Sequence, residues 1–305
     1  MQKKPLPLKT GDVIAVYAPA GPVNRSRLKC GIARLSAAGF VPDIADDVFA
    51  AKGYLAGDDK HRARRFEWAL TLPEARAAMA ARGGYGTTRL LPLIDWKRFA
   101  KRPRLLVGYS DITAILAYVS TRLKIPCIHG PMVAADLAHR FDASALDAFA
   151  RLAAGKVSSR EPWGDAMERL RGASAEGILA GGCLSVLTSM LSTPYEPDFR
   201  GSLLFLEDVN EPAYRLDRML TQWLQSGRWS KISGIMVGKI APVRGEKREE
   251  IHRLFLEAGK LLSVPVWCGF PAGHEGKNVA IPFGVRARID AKGRLCLLEP
   301  PVSEK

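Results

Sequence analysis

The chain has 305 residues, which is enough for one large α/β domain or two ordinary ones, since domains usually contain about 100–200 residues. Hydrophobic residues make up 47% and charged residues 25%, a composition that excludes disordered and fibrous proteins. The formal net charge of +14, of which residues 1–150 contribute +10, indicates attraction to acidic partners rather than a particular fold.

Location and redox state follow from the same composition. The longest apolar stretches, such as Val13 to Ala20, fall well short of the roughly 18 residues needed to cross a bilayer, so we expect no transmembrane helix and no membrane insertion. The N-terminus lacks the apolar core of a secretory signal, so we expect a cytoplasmic protein. Five scattered cysteines without a CxxC pair predict reduced, mostly buried thiols, and neither a disulfide framework nor a zinc site.

The first half alternates apolar strands with helical segments, which is typical of a mainly parallel sheet covered by helices. Strands are predicted at 13–17, 41–45 and 77–81, and a further buried strand begins at Leu105. Helices are predicted from 24 to 38, 60 to 70, 87 to 94 and 112 to 122, with Asn24 as the N-cap of the first.

The apolar periodicity fades between Phe149 and Ala175, where glycine, serine and proline are interspersed among charges. We therefore predict an N-terminal domain at 1–150, a linker at 151–175 and a C-terminal domain at 176–305. The C-terminal domain should contain helices at 183–191, 213–225 and 247–262, strands at 203–207 and 234–238, and short strands with glycine-rich turns over 264–298. The chain is assigned to the α/β class.

Ser110 lies where the buried strand that begins at Leu105 runs straight into a helix. A serine in such a sharp strand-to-helix turn exposes its hydroxyl near backbone N–H groups and the positive end of the helix dipole. Ser110 is thus a candidate nucleophile, which also needs a base, a group that orients the base, and donors for the developing oxyanion.

Two of the five histidines are candidates for the base. His274 lies in a glycine-rich loop after a strand, and His129 lies at a strand end in the first domain; either can instead be a structural histidine. His61, His139 and His252 are most simply surface residues.

Glu207 and Asp208 are candidates for the orienting acid, because they end an apolar strand. Side chains alternate along a strand, so only one of the two can face the histidine, and periodicity does not choose between them. Either acid can instead cap the following helix.

The segment Gly83 to Gly86 allows a ligand to approach the backbone closely, but phosphate-binding loops and plain tight turns look similar. Paired with the N–H of Asp111, it would supply the second oxyanion donor that the chemistry needs.

These residues stand within a series of motifs that resembles the LD-carboxypeptidases, cytoplasmic serine peptidases of bacterial cell-wall recycling, whose relatives include the microcin C self-immunity proteins. The resemblance covers nearly the whole chain. Its marks are Ala18-Pro19-Ala20-Gly21, Ala81-Arg82-Gly83-Gly84-Tyr85-Gly86, Val107-Gly108-Tyr109-Ser110-Asp111-Ile112-Thr113, His129-Gly130-Pro131-Met132, Gly181-Gly182 with Leu184, Leu206-Glu207-Asp208-Val209-Asn210-Glu211, and Gly273-His274-Glu275 with Asn278 and Pro282. The clearest departures are Cys183 and Pro271.

The resemblance implies that Ser110 is the nucleophile, Glu207 the acid and His274 the base, with the backbone N–H groups near Gly84 and of Asp111 as the oxyanion hole. It implies an N-terminal class I glutamine-amidotransferase-like sheet and a smaller C-terminal α/β domain, with the active site assembled between them. It further implies a homodimer without metal or organic cofactor that releases terminal D-alanine from muropeptide tetrapeptides.

A carboxypeptidase must also recognise the free carboxylate of its substrate, for which an arginine fork is the usual partner. Arg82 and Arg89 flank the glycine-rich loop, and the sequence does not choose between them.

Four other interpretations were weighed. A microcin-immunity-type amidase would keep the triad and act on a peptidyl or aminoacyl nucleotide. An α/β-hydrolase esterase would need glycine where this chain has Ile112. A nucleotide or nucleic-acid binder would use Gly83 to Gly86 and the basic clusters at 60–65 and 97–104, but no aromatic stripe or G-x-G-x-x-G pattern supports it, so we expect no nucleic-acid partner. Cys183 is an unsuitable nucleophile, because no base is adjacent to it in sequence.

Overall fold

Two β-sheets organise the protein in a computed structural model that describes residues 3–138, 143–240 and 242–303. The strands are β1 (Val13–Tyr17), β2 (Val41–Ile44), β3 (Ala75–Ala80), β4 (Leu105–Gly108), β5 (Cys127–His129), β6 (Glu168–Arg171), β7 (Ala175–Cys183), β8 (Ser202–Asp208), β9 (Gly234–Ile240), β10 (Val266–Gly273), β11 (Ile281–Phe283), β12 (Val285–Ile289) and β13 (Leu295–Leu297). The helices are α1 (Arg25–Ala37), α2 (Asp59–Thr71), α3 (Trp96–Lys101), α4 (Thr113–Thr121), α5 (Ala143–Ala153), α6 (Leu184–Ser189), α7 (Ala213–Gln225) and α8 (Arg248–Leu262).

The first sheet has the strand order β11-β5-β4-β3-β1-β2. Strands β1 to β5 are parallel, and β11 joins the edge in the antiparallel direction. Parallel sheets are covered by helices on both faces, which explains the nearly continuous burial of β1, β3 and β4. The carboxyl ends of these strands share one edge, where α/β proteins place their ligands.

The second sheet has the order β13-β12-β7-β8-β9-β10-β6. Its four central strands, β7 to β10, are parallel. Their outer neighbours β6 and β12 are antiparallel to them, and β13 pairs antiparallel with β12. Every residue of β8 is buried, so its apolar run shows no alternation. The α/β class and the mainly parallel first sheet are confirmed.

Most predicted elements are confirmed to within a few residues, and three regions differ. The predicted helix over 87–94 is wrong: the segment forms two 3₁₀ turns, Thr87–Arg89 and Leu91–Leu93, and Pro92 supplies no N–H for an α-helical bond. The predicted linker 151–175 contains β6, an edge strand of the second sheet. Strand β11, from the predicted C-terminal domain, belongs to the first sheet.

The basic cluster at 60–65 lies on α2, where one member has a structural role. Arg62 is fully buried and donates from Nη1 to the carbonyl oxygens of Pro19 and Gly86. It also forms an ion pair with Asp59. This arginine therefore fixes the loops after β1 and β3 and is unavailable to an external partner.

All five cysteines are free thiols, and four of them are buried, as predicted. Among the residues that the structure describes, no helix has the length and apolarity to cross a bilayer.

Candidate active site

Ser110 begins a short 3₁₀ turn, Ser110–Ile112, between β4 and α4. Its φ of 62° lies in the left-handed region, which costs an L-residue roughly 1–2 kcal/mol. A Cβ at Gly108, two residues earlier, would lie 3.0 Å from the Ile112 side chain, a tight contact that glycine avoids. The strained turn lifts Ser110 from the sheet towards an open cleft.

The glycine-rich loop after β3 packs directly against the serine. A Cβ placed on Gly83 would lie 2.8 Å from Ser110 Cβ and 2.9 Å from Ser110 Oγ, so the close approach requires glycine. Gly84 has φ 137°, and a Cβ there would meet Gly21 N at 2.9 Å.

Asp111 ties this loop to the serine turn. Its carboxylate accepts a 2.9 Å hydrogen bond from the Thr87 N–H, and the Thr87 hydroxyl donates to the Asp111 carbonyl oxygen. Burial raises the pKa of Asp111, although the bonds from Thr87 oppose that shift. The backbone segments that carry the predicted oxyanion donors, Gly84 and Asp111, are thus held together.

His274 and Glu207 form a hydrogen-bonded pair in the second sheet. Glu207, on β8, is fully buried, and its Oε2 lies 2.7 Å from Nδ1 of His274, which directly follows β10. A carboxylate only accepts, so Nδ1 carries the proton and Nε2 of a neutral His274 can accept one. Gly273 permits the approach, since a Cβ there would lie 3.0 Å from Glu207 Oε2.

Two opposing effects set the pKa of His274. Burial disfavours the charged imidazolium, but the charge and hydrogen bond of Glu207, with smaller contributions from Asp208 and Asp136, raise the pKa above the ordinary value. The imidazole is therefore a stronger base than a free histidine.

The loop that carries His274 is anchored to the first half of the chain. Asn278 accepts a hydrogen bond from the Gly273 N–H at 3.1 Å and donates from Nδ2 to Asp136 at 3.3 Å. Asp136 in turn accepts from the Met132 N–H at 3.0 Å. Sequence reasoning missed Asp136, because no local pattern marks it.

Asp208 faces away from His274. Its carboxylate accepts from the Ser185 N–H at 2.7 Å, at the start of α6, and from Cys183 Sγ at 3.4 Å. Burial, and then the neighbouring charge of Glu207, raises the pKa of Asp208 to about 6. Burial and these two carboxylates also raise the pKa of Cys183 well above its usual range, which suits an inert thiol.

Ser110 and His274 line one open cleft of about 360 Å³. The other lining residues are Asn24, Arg27, Arg82, Gly83, Gly84, Tyr109, Met132, Ala134, Ala135, Val209 and Asn210. The structure thus brings the predicted serine, histidine and glutamate together, from the carboxyl ends of β4, β10 and β8. Within the described ranges, no group of three or more His, Cys, Asp or Glu residues is arranged to hold a metal ion.

The other candidate histidines lie elsewhere. His129 is fully buried among aromatic rings, and burial lowers its pKa to about 4, so it is a neutral core residue. His61 lies 3.6 Å from Asp47, and His252 lies 3.6 Å from Glu168. His139 falls outside the described residues.

The structure also separates the candidate arginines. Arg82 lines the cleft, whereas Arg89 lies outside it and pairs with Asp59 at 2.7 Å. Arg27, which sequence reasoning missed, lines the cleft from the first turn of α1. The available signal was its position at the start of the helix that follows β1, since parallel strands present the segments after them at one edge.

Two protein-family models match this chain. The model of the LD-carboxypeptidase N-terminal domain matches residues 14–130, and the model of the C-terminal domain matches residues 176–289. The chain belongs to the LD-carboxypeptidase family. It is accordingly an enzyme of the serine-type LD-carboxypeptidase class.

Individual relatives agree with the family assignment. The murein tetrapeptide carboxypeptidase of Pseudomonas aeruginosa is 33% identical, over 91% of this chain and 92% of that protein. The crystal structure of muramoyltetrapeptide carboxypeptidase from Oxalobacter formigenes matches with a TM-score of 0.80 and 30% identity, over 93% of this chain and 97% of that one. The structure of MccF in complex with glutamyl sulfamoyl guanosine shares the fold, with a TM-score of 0.87 at 22% identity over 99% and 98% of the two chains.

Proposed function

We propose that this LD-carboxypeptidase hydrolyses the amide bond between an L-centre and the terminal D-alanine of peptidoglycan tetrapeptides. The observation that carries the proposal is the shared cleft, which is lined by Ser110 and by His274, whose Nδ1 is 2.7 Å from buried Glu207. A serine, a histidine and an acid in this relation form the machinery of acyl transfer.

In the proposed first step, His274 Nε2 takes the proton of the Ser110 hydroxyl while Oγ attacks the scissile carbonyl carbon. Collapse of the tetrahedral intermediate breaks the C–N bond, and His274 returns the proton to the nitrogen of the departing D-alanine. The acyl-enzyme ester is then hydrolysed by water, which His274 deprotonates in the same way. The Glu207 carboxylate stabilises the imidazolium that forms in each step.

The backbone N–H groups of Gly84 and Asp111 are proposed to donate to the oxyanion of the tetrahedral intermediate. Donors fixed in advance are effective because they do not reorganise during the reaction, and one such donor is worth about 3–4 kcal/mol. The contacts of Thr87 with Asp111 and of Gly83 with Ser110 support this role, because they fix both backbone segments beside the serine.

The remaining features of the proposal come from the resemblance. We propose that residues 1–150 form the nucleophile domain and that residues 176–305 form the domain carrying the acid and the base. A cytoplasmic location and a homodimeric state stay predictions, and size-exclusion chromatography with light scattering tests the second.

The test is mass spectrometry of wild type and Ser110→Ala incubated with L-Ala-D-Glu-meso-diaminopimelyl-D-Ala. We expect tripeptide and free D-alanine from wild type only. A variant that still releases D-alanine would remove Ser110 from the mechanism. If wild type leaves the tetrapeptide intact but cleaves a peptidyl-nucleotide amide, the substrate assignment is wrong and the microcin-immunity-type reaction replaces it.

A further inference from the structure

We infer that Arg27 and Arg82 form a carboxylate-binding subsite that holds the terminal D-alanine of the substrate. This inference deepens the proposed function and rests on it, because a carboxypeptidase must distinguish a free chain end from an internal residue. Both arginines line the cleft that contains Ser110 and His274: Arg27 from the first turn of α1, and Arg82 from the loop after β3.

Arg82 is held in place by backbone carbonyl groups rather than by an acid. Its Nε donates to Gly83 O at 3.0 Å, and its Nη1 donates to Pro22 O at 3.1 Å. These bonds fix the plane of the guanidinium without neutralising its charge. A guanidinium fixed in this way loses little conformational freedom on binding an anion, which favours affinity.

Arg27 lines the cleft from α1. It lies in the first turn of α1, where its N–H is capped by Asn24 Oδ1 at 3.0 Å, and its side chain is exposed. Within the described ranges its guanidinium has no ion pair. Two cationic side chains on one cleft suit an anion better than either does alone.

The lining of the cleft leaves this positive charge uncompensated. Among its described lining residues, there is no aspartate or glutamate. Arg89 shows the contrast, because it forms an ion pair with Asp59 outside the cleft. The positive charge of the cleft is therefore available to an anionic substrate and is not used in an ion pair within the lining.

The position of Arg82 suits the C-terminal carboxylate of the substrate. In a D-alanine residue the carboxylate carbon is three bonds from the scissile carbonyl carbon, a distance below about 4 Å. Arg82 directly precedes Gly83, whose backbone touches Ser110. A carboxylate one residue beyond the attacked carbonyl group therefore falls beside the glycine-rich loop that carries Arg82.

A tetrapeptide also carries carboxylates upstream of the scissile bond, on D-glutamate and on diaminopimelate. The test separates these sources with three ligands: the tetrapeptide, the same peptide with a C-terminal amide, and the tetrapeptide with L-lysine at the third position. The amide removes only the terminal charge, and lysine removes only the side-chain carboxylate of the third residue.

Wild type, Arg27→Gln and Arg82→Gln are assayed on all three peptides, with Arg89→Gln as a matched loss of charge outside the cleft. We expect each cleft variant to lose about 10- to 100-fold in kcat/KM on both free-acid peptides, because a charge-assisted hydrogen bond is lost. On the amide we expect changes below about threefold, because its carboxylate is already absent. Arg82→Lys should recover part of the loss, since it restores the charge without the fork. Arg89→Gln should behave as wild type.

Binding of the same peptides to Ser110→Ala variants, measured by calorimetry, separates this inference from the proposed function. If wild type releases no D-alanine but the Ser110→Ala protein binds the acid more tightly than the amide, and Arg27→Gln or Arg82→Gln abolishes that preference, the subsite stands and the proposed reaction falls. Equal affinity for acid and amide, or equal losses on both peptides, would overturn the subsite. Losses confined to the diaminopimelate peptide would overturn it as well, because they assign the arginines to the third residue. Thermal melts of each variant test whether it is folded.

Discussion

The two sheets position their parts of the active site by different means. At the edge of the first sheet, Ser110 is fixed by its own backbone, with φ at 62° and the glycine-rich loop packed against it. At the edge of the second sheet, His274 is fixed by a side-chain hydrogen bond to a carboxylate with no exposed surface. The nucleophile thus depends on glycine and strain, and the base depends on burial and charge.

This difference determines which substitutions damage each half. A substitution that removes charge but keeps volume should disable the part of the site on the second sheet, because the charge of Glu207 matters more there than its size. Additions of a single methyl group should disable the first-sheet half, where the backbone of Gly83 contacts Ser110.

The largest effect should come from Glu207→Gln. A glutamine can donate to Nδ1 of His274, which favours the wrong tautomer and removes the charge that stabilises the imidazolium, so we expect kcat to fall by about 10³- to 10⁴-fold. Steady-state release of D-alanine measures the change.

Asp208→Asn is the matched control, since it makes the same chemical change one residue later on β8, where the side chain contacts Ser185 and Cys183. We expect it to retain activity to within about tenfold, because lost hydrogen bonds there affect mainly stability. Similar losses for the two variants would show that removing either charge disturbs β8 as a whole. The contact between Glu207 and His274 would then not be the cause of the loss.

A smaller effect is expected from Gly83→Ala. The added Cβ would lie 2.9 Å from Ser110 Oγ, so the serine or the loop must move, and a misplacement of about 1 Å can cost about 10²-fold in rate. Gly227→Ala is the control, because its φ of 69° gives comparable or greater backbone strain while its Cβ meets open space. We expect the control to lose stability but not activity, and unchanged kinetics in Gly83→Ala would contradict the close packing.

The pH profile should show the charge effect on His274. Its pKa is raised, so kcat/KM should rise with pH through a midpoint above the ordinary value of 6.5, as the imidazole becomes neutral. The free energy of unfolding should change in the opposite direction. The interaction of the His274 imidazolium with Glu207 stabilises the fold fully below the pKa that His274 has in the unfolded chain. That contribution is lost as the pH rises through the higher pKa of His274 in the folded protein.

In Glu207→Gln the activity midpoint should fall, because burial, which lowers the pKa of His274, is then opposed only by weaker charges. Kinetics of the residual activity and an NMR titration of His274 measure the two midpoints. A midpoint that does not move would remove Glu207 as the cause of the raised pKa.

The sequence was informative where local pattern determines structure. Apolar runs and caps identified β1, β4, β8, α7 and the Asn24 cap, because burial and N-terminal capping act within a few residues. The strand-to-helix turn likewise identified Ser110 from the sequence alone.

Contacts between residues far apart in the chain could not be predicted from local sequence pattern. Periodicity could not choose between Glu207 and Asp208, and only the pairing of β8 with β9 and the placement of β10 bring Glu207 to His274. Strand β11 joins a sheet more than 120 residues away in sequence for the same reason, since its pairing with β5 leaves no local sign. The partners of Arg82 and Arg89 also follow from loop positions that no spacing encodes.

The smallest effect should be at position 110, where glycine is expected to be more stable than alanine, the reverse of their usual order. At ordinary positions glycine is about 0.5–1 kcal/mol less favourable than alanine, because it loses more backbone freedom on folding. In the left-handed region alanine bears roughly 1–2 kcal/mol of strain that glycine avoids, so Ser110→Gly should be more stable than Ser110→Ala by about 0.5–1 kcal/mol. Both variants lack the nucleophile, so urea unfolding compares the backbone alone. Ser263, with φ 57° at the exposed end of α8, is the control and should show the same order. If alanine is the more stable residue at 110 and glycine at 263, the serine turn relaxes when its hydroxyl is removed, and the nucleophile is then held by its side-chain contacts rather than by backbone strain.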